Sequence, residues 1–175
     1  MKTIKYFILA LIIGITACKS PREKALNRIK EAEAKMRADG SMQINPAIAH
    51  ELITGYMAFS EQFPKDSLAP EFLFKAAEVN NGIGKPDVAV DLYKKVYYDY
   101  PGYKKAIYCL FLEGFTYETR LNDLTAAANI YQDFLTKYPN HPLADDVKFS
   151  LDNIGKSDEE LIQQFEANQN TVQKK

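Results

Sequence analysis

The sequence predicts an all-α fold, a solenoid of about three helical hairpins closed by a C-terminal capping helix. Three observations carry that reading. Pro, Gly and Asn punctuate the chain at short intervals, with little strand-like alternation between them. An aromatic-proline pair recurs as Phe63-Pro64, Tyr100-Pro101 and Tyr138-Pro139, with the prolines 37 and 38 residues apart. Finally, Leu73–Pro101 overlays Phe111–Pro139 without a gap, setting Ala76 against Gly114, Ala89 against Ala127, Leu92 against Ile130 and Tyr93 against Tyr131. A near-constant period of this size marks stacked supersecondary units.

The first helix is expected over 21–38, a run rich in Ala, Glu and Lys that stops at Asp39-Gly40. The second begins at Asn45-Pro46, a cap followed by a first-turn proline, and runs to Phe63-Pro64. Further helices are expected over 68–81, 86–100, 103–121, 123–138, 141–154 and 157–168. Ser157 and Glu160 have the spacing of a capping box at the start of the last. The Tyr- and Lys-rich stretch 92–105 fits this scheme. Ala89, Tyr93, Val96, Tyr97 and Tyr100 form one stripe at spacings of three and four, a packing face. Tyr98 falls off the stripe, and Tyr103 lines up with Ile107 and Phe111 on the next helix. The lysines lie on the opposite, solvated flank, so the stretch is not a nucleic-acid strip.

At 175 residues, 46% hydrophobic and 26% charged, the chain has the balance of one globular domain. Its beginning is different material: Lys2 and Lys5, an apolar run from Tyr6 to Ile15, then small residues before Cys18. That order is a secretory signal, and the apolar run is about half the ~20 residues of a membrane-spanning helix. Expected boundaries are a signal peptide at 1–17, a lipidated Cys and linker at 18–22, the repeat domain at 23–168 and a polar tail at 169–175. Removal of 1–17 takes Lys2 and Lys5 with it and moves the net charge from −1 to −3, no balance for a polyanion. Cys109 then reads as a small core residue.

Ile15, Thr16, Ala17 and Cys18 resemble the lipobox of bacterial lipoproteins. The resemblance implies cleavage before Cys18 and acylation there, a covalent lipid in place of any cofactor; two or three chains would give stable membrane attachment. Lys19 after the Cys fits outer-membrane sorting, and the absence of an acidic pair there favours the periplasmic face. The helix-turn-helix-Pro unit resembles the tetratricopeptide repeat at a slightly longer period. In that repeat, small residues matching Ala76 or Gly114 and Ala89 or Ala127 let helices approach, and the large residue matching Tyr93 or Tyr131 fills the seam. The Tyr-Pro ends followed by NHPLADD are similar to outer-membrane lipoproteins of the BamD and CpoB (YbgF) type over residues 64–155. The chain is too short for the longer BamD array and lacks the coiled coil that precedes the CpoB repeats.

Nothing in the sequence nominates an enzyme. Gly82–Pro86 lacks the Ser or Thr of a phosphate-binding loop, and Gly155-Lys156-Ser157 lacks its first glycine and preceding strand, so no nucleotide is implied. His50 and His141 have no companion at metal spacing. Asp145-Asp146 and Glu159-Glu160 sit in first turns of helices, where the dipole favours them. The expected binding surface is the side on which stacked hairpins expose their first helices: Glu71, Phe74, Glu78 and Asn81 in one unit, Leu112, Thr116, Thr119 and Arg120 in the next. This is a mixed apolar and acidic groove for a peptide or helix of basic character. The reading is a non-catalytic scaffold for protein partners in the bacterial cell envelope, in outer-membrane assembly. Alternatives are coordination of peptidoglycan or cell division, and a sugar or small-ligand site built on Tyr98 and Tyr103.

Overall fold

The computed structural model describes residues 20–40, 45–157 and 159–163. Its helices are α1 (Pro21–Asp39), α2 (Pro46–Gln62), α3 (Ala69–Gly82), α4 (Pro86–Asp99), α5 (Ala106–Thr116), α6 (Leu124–Lys137) and α7 (Ala144–Asn153). A π-helical turn, Tyr117–Leu121, continues α5, and residues 159–163 are helical. No strand occurs among the described residues. The signal segment, Cys18, the polar tail and the far end of the capping helix lie outside them.

Local chemistry sets the helix ends. Ser20 accepts the backbone N–H of Glu23 and Asn45 that of Ala47, each ahead of a first-turn proline whose missing N–H costs nothing there. Helix α1 therefore starts at Pro21, as its sequence predicts. Ser157 and Glu160 form the reciprocal capping box, with N–H to carboxylate and N–H to hydroxyl distances of 2.8 and 3.3 Å. The three aromatic-proline junctions share one geometry. Phe63, Tyr100 and Tyr138 have φ of −128, −131 and −131° and ψ of 58, 57 and 53°. Proline excludes its predecessor from the helical region, so each second helix stops at the same bend. Two successive turns then follow at each junction, from Phe63 to Asp66 to Ala69, Tyr100 to Tyr103 to Ala106, and Tyr138 to His141 to Ala144.

Each helix packs against the next in the chain. The main core gathers α1 to α4 with Cys109 of α5, and a second gathers α5 to α7, Tyr97 touching both. Tyr93 and Tyr131 are fully buried, as is Phe59 to within 1%. Complete burial of a large apolar side chain contributes about 1.5–3 kcal/mol, but a phenol must also place its hydroxyl. Tyr56 donates to Glu33 at 2.9 Å, Tyr93 to Glu78, and Tyr131 to Glu118 at 2.7 Å. Each bond crosses from a second helix to the arm before it in the same hairpin. Burial, helped by the facing carboxylate, pushes the Tyr93 and Tyr131 phenols well above their ordinary range, which keeps them donors.

The two matched hairpins differ by one residue, and the structure shows where it goes. Helix α5 begins 37 residues after α3, whereas α6 begins 38 after α4. The extra residue is absorbed by the π-helical turn 117–121, which closes on Asn122 in the left-handed conformation at φ 53°. Counted from the helix starts, Phe74, Phe111 and Phe149 occupy equivalent positions in α3, α5 and α7. Phe74 is 8% exposed, Phe111 half-buried and Phe149 49% exposed.

Gly114 is where the hairpin closes tightest. A Cβ there would lie 2.7 Å from Cε1 of Tyr131, a ring that is fully enclosed. Gly114→Ala should therefore lower stability, since an overpacking cost of about 1–3 kcal/mol exceeds the ~1 kcal/mol gained in helix propensity. Gly55→Ala, whose Cβ would meet only Ile29 Cγ1 at 3.3 Å, should be close to neutral. Urea midpoints of the two variants check the contrast.

Candidate functional site

The first helices α1, α3 and α5 lie side by side, tied through side chains. Lys75 of α3 reaches Glu33 of α1 at 2.7 Å, with its ammonium also 5.7 Å from the Tyr56 ring centre. Glu71 of α3 accepts the Tyr103 hydroxyl and pairs with Lys105 at 3.6 Å. Burial opposes ionisation of Glu71, but the Tyr103 hydroxyl and the Lys105 and Lys75 ammoniums outweigh it and hold the carboxyl below its usual range. Lys105 also lies 4.0 Å from the centre of the Phe74 ring, a cation–π contact that closes over it.

From Phe74 a row of aromatic rings runs along α5. Tyr108 is 6.4 Å from Phe74, Phe111 stacks on Tyr108 at 6.0 Å, and Phe115 stacks on Phe111 at 5.8 Å. Tyr108 and Phe115 are 37% and 42% exposed, large apolar groups on a face with no further helix over them among the described residues. Glu78 borders the row, exposed apart from the Tyr93 hydroxyl it accepts. At the far end, Arg120 donates to the main-chain oxygen of Asn81 at 3.0 Å and joins the π-helical turn to the end of α3. The Asn81 side-chain oxygen is buried and accepts no hydrogen bond.

Of the residues expected on this face, Glu78, Thr119 and Arg120 are exposed and Glu71 and Asn81 half-buried. Phe74 is buried beneath Lys105 and Tyr108. Leu112 is half-buried and packs into the main core, and Thr116 is 1% exposed, its hydroxyl donating to the Leu112 carbonyl oxygen at 2.7 Å. The expected exposure of Leu112 and Thr116 is corrected for one reason. A gapless overlay carries the 38-residue offset of the second helices into the first, where the offset is 37, and one residue turns a helix position by about 100°. The true counterparts of Glu71, Phe74 and Glu78 are Tyr108, Phe111 and Phe115. A signal was present: α5 is apolar at 106, 109 and 110 and again at 108, 111, 112 and 115, more than one core stripe needs.

The Tyr103 hydroxyl is held by Glu71, whereas Tyr98 is 64% exposed and edges onto Tyr97 at 4.8 Å. Cys109 is fully buried, and burial pushes its thiol up to about 12. Asp145 and Asp146 fall in the first turn of α7. No group of three His, Cys, Asp or Glu side chains suited to a metal occurs among the described residues, and no described helix is long and apolar enough to cross a membrane.

Paired antiparallel helices, small residues at the close approaches and a wedged tyrosine in each seam make this a tetratricopeptide-repeat-like helical-hairpin solenoid. The family model for the tetratricopeptide repeat matches residues 71–103 and 108–141. Its second match is one residue longer than its first, in agreement with the extra residue at the π-helical turn. The fold is one of protein-interaction scaffolds, and the repeats imply protein partners. A comparison with curated proteins found no match.

One charged group beneath the face went unnoticed in the sequence. Glu113 of α5 is 4% exposed, with Lys94 of α4 3.5 Å away. Burial pushes its carboxyl up to about 7; Lys94 offsets this in part, while Asp133 and Asp91 add to it. Below the unfolded value both states are protonated. As pH rises toward 7 the unfolded chain has released a proton that the native state still holds, so stability falls across that window. Glu113→Gln should remove the fall and be more stable than the parent above pH 7, by about 1–3 kcal/mol, with the difference vanishing near pH 4. Denaturant midpoints measured across pH check it.

Proposed function

We propose that this chain is a non-catalytic, lipid-anchored scaffold of the bacterial cell envelope that holds a partner polypeptide against its first helices. The observation that carries the binding role is the aromatic row, in which Tyr108 and Phe115 remain over a third exposed while every comparable ring in the seams is enclosed. Glu33 and Glu71 are neutralised by Lys75 and Lys105, whereas Glu78 pairs with no cation among the described residues and is open to a partner. The surface suits a helix or extended peptide with two apolar anchors and a basic residue beside them. Aromatic groups at the centre of an interface supply most of its binding energy. The anchor is supported by the lipobox-like Ile15–Cys18, Lys19 favours the outer membrane and the lack of an acidic pair after Cys18 favours its periplasmic face, where a repeat scaffold would serve assembly of that membrane.

A photo-crosslinker at Phe115 should capture one principal partner in growing cells. The double variant Tyr108→Ala, Phe115→Ala should reduce recovery of that partner at least tenfold with helix content retained; undiminished recovery refutes the face. Labelling with a fatty acid should mark the parent chain and not Cys18→Ser. Equal labelling of the two rejects the anchor.

A further inference from the structure

The edge on which the chain enters the solenoid has features that the partner-binding face does not explain. Ser20 caps α1, and two residues later Arg22 grips Asp66 in the first inter-hairpin turn with both Nε and Nη2, at 2.5 and 3.2 Å. The start of α1 is thereby fixed beside the turn 64–67. Only two peptide steps separate Ser20 from Cys18, a reach of about 7 Å. The second turn, 101–104, lies across a cleft of about 660 Å³ from the first, with Pro64, Ser67, Tyr100 and Pro101 among its walls.

This edge has its own charge pattern. Asp66 is occupied by Arg22, and Asp99 by Lys95 at 2.5 Å. Lys65 and Lys104, one in each turn, are exposed and pair with no carboxylate among the described residues. Tyr98, the most exposed large side chain of α4, stands in the last turn of that helix beside the second turn. Glu61, exposed in the last turn of α2, offsets one of these lysines, and Asp145 and Asp146 lie past the third turn, so the small basic surplus is at the end nearest Cys18. Amphipathic rings and basic side chains are what a bilayer interface accepts.

We propose that the edge formed by the first two inter-hairpin turns rests on an anionic phospholipid surface, with Lys65, Lys104 and Tyr98 in the headgroup layer. The inference rests on the lipid-anchor reading above. An acyl group on Cys18 brings the bilayer within reach of these turns, and the ammoniums then fix the solenoid's tilt. Helix α4, at 14 residues, stands about 21 Å tall. Its other end, at Lys85, is held clear of the lipid, and the α1–α3–α5 face stays open to a partner.

The chain contains no tryptophan, so single Trp variants report on position without background. At Gly102 a Cβ meets nothing within 4 Å. Gly102→Trp and Lys85→Trp would be purified in lipidated form and placed in vesicles of phosphatidylethanolamine and phosphatidylglycerol carrying brominated chains. Gly102→Trp should be quenched severalfold more than Lys85→Trp. Adding Lys65→Glu and Lys104→Glu, or raising the salt, should remove that excess while the protein stays on the vesicles and its helical circular dichroism is unchanged. Equal quenching at the two reporters, or an excess indifferent to both charge reversal and salt, overturns the orientation in a chain whose Cys18 carries label. An unlabelled Cys18 instead removes the anchor, and the inference with it.

Discussion

A buried tyrosine in each hairpin is the constraint on which the rest of the structure depends. Its ring fills a seam that two helices could not close by themselves, and its hydroxyl must be satisfied or the gain from burial is lost to desolvation. Glu33, Glu78 and Glu118 supply the acceptor for Tyr56, Tyr93 and Tyr131. Because each carboxylate belongs to the arm preceding its tyrosine, the bond fixes the angle and depth at which the two arms meet. The small residues follow from the same need. Gly114 is small because the Tyr131 ring already occupies the space, and Ala89 and Ala127 are fully buried.

Repetition of the junctions converts these local seams into a stack. The aromatic-proline bend holds nearly constant dihedrals at Phe63, Tyr100 and Tyr138, so successive first helices start in register and their side chains can meet across α1, α3 and α5. The position after each bend is used flexibly. Asp66 accepts the N–H of Leu68, His141 that of Leu143, and Tyr103 sends its hydroxyl to Glu71 instead. The backbone is kept while the side chain is released for different duties, among them the grip of Asp66 on Arg22.

Most of the architecture was legible in the sequence because helix stops and seam residues are local signals. Asn45-Pro46, the three aromatic-proline pairs and the Ser157–Glu160 box each encode their structure within a few residues, and the burial of Tyr93 follows from its stripe and that of Tyr131 from its match to Tyr93 in the repeat. The inner face was less legible. Glu78 is exposed there and Glu71 half-buried, whereas Leu112 and Thr116 fall one residue out of phase and Phe74 is covered by Lys105 and Tyr108. No residue type announces a π-helical turn, which hides an insertion inside a helix rather than in a loop. Glu113 was invisible for another reason: its burial depends on Lys94 arriving from a different helix.

The graded exposure of Phe74, Phe111 and Phe149 has a consequence for growth of the array. One ring, placed at one point of each first arm, passes from interior to boundary to surface as hairpins succeed one another. The same residue thus needs no change of identity to serve as either mortar or outer wall, so a hairpin could be duplicated within the stack with this position unaltered. Lengthening by duplication would then need no redesign of this position, whereas α1 is tied by Arg22 to the first inter-hairpin turn.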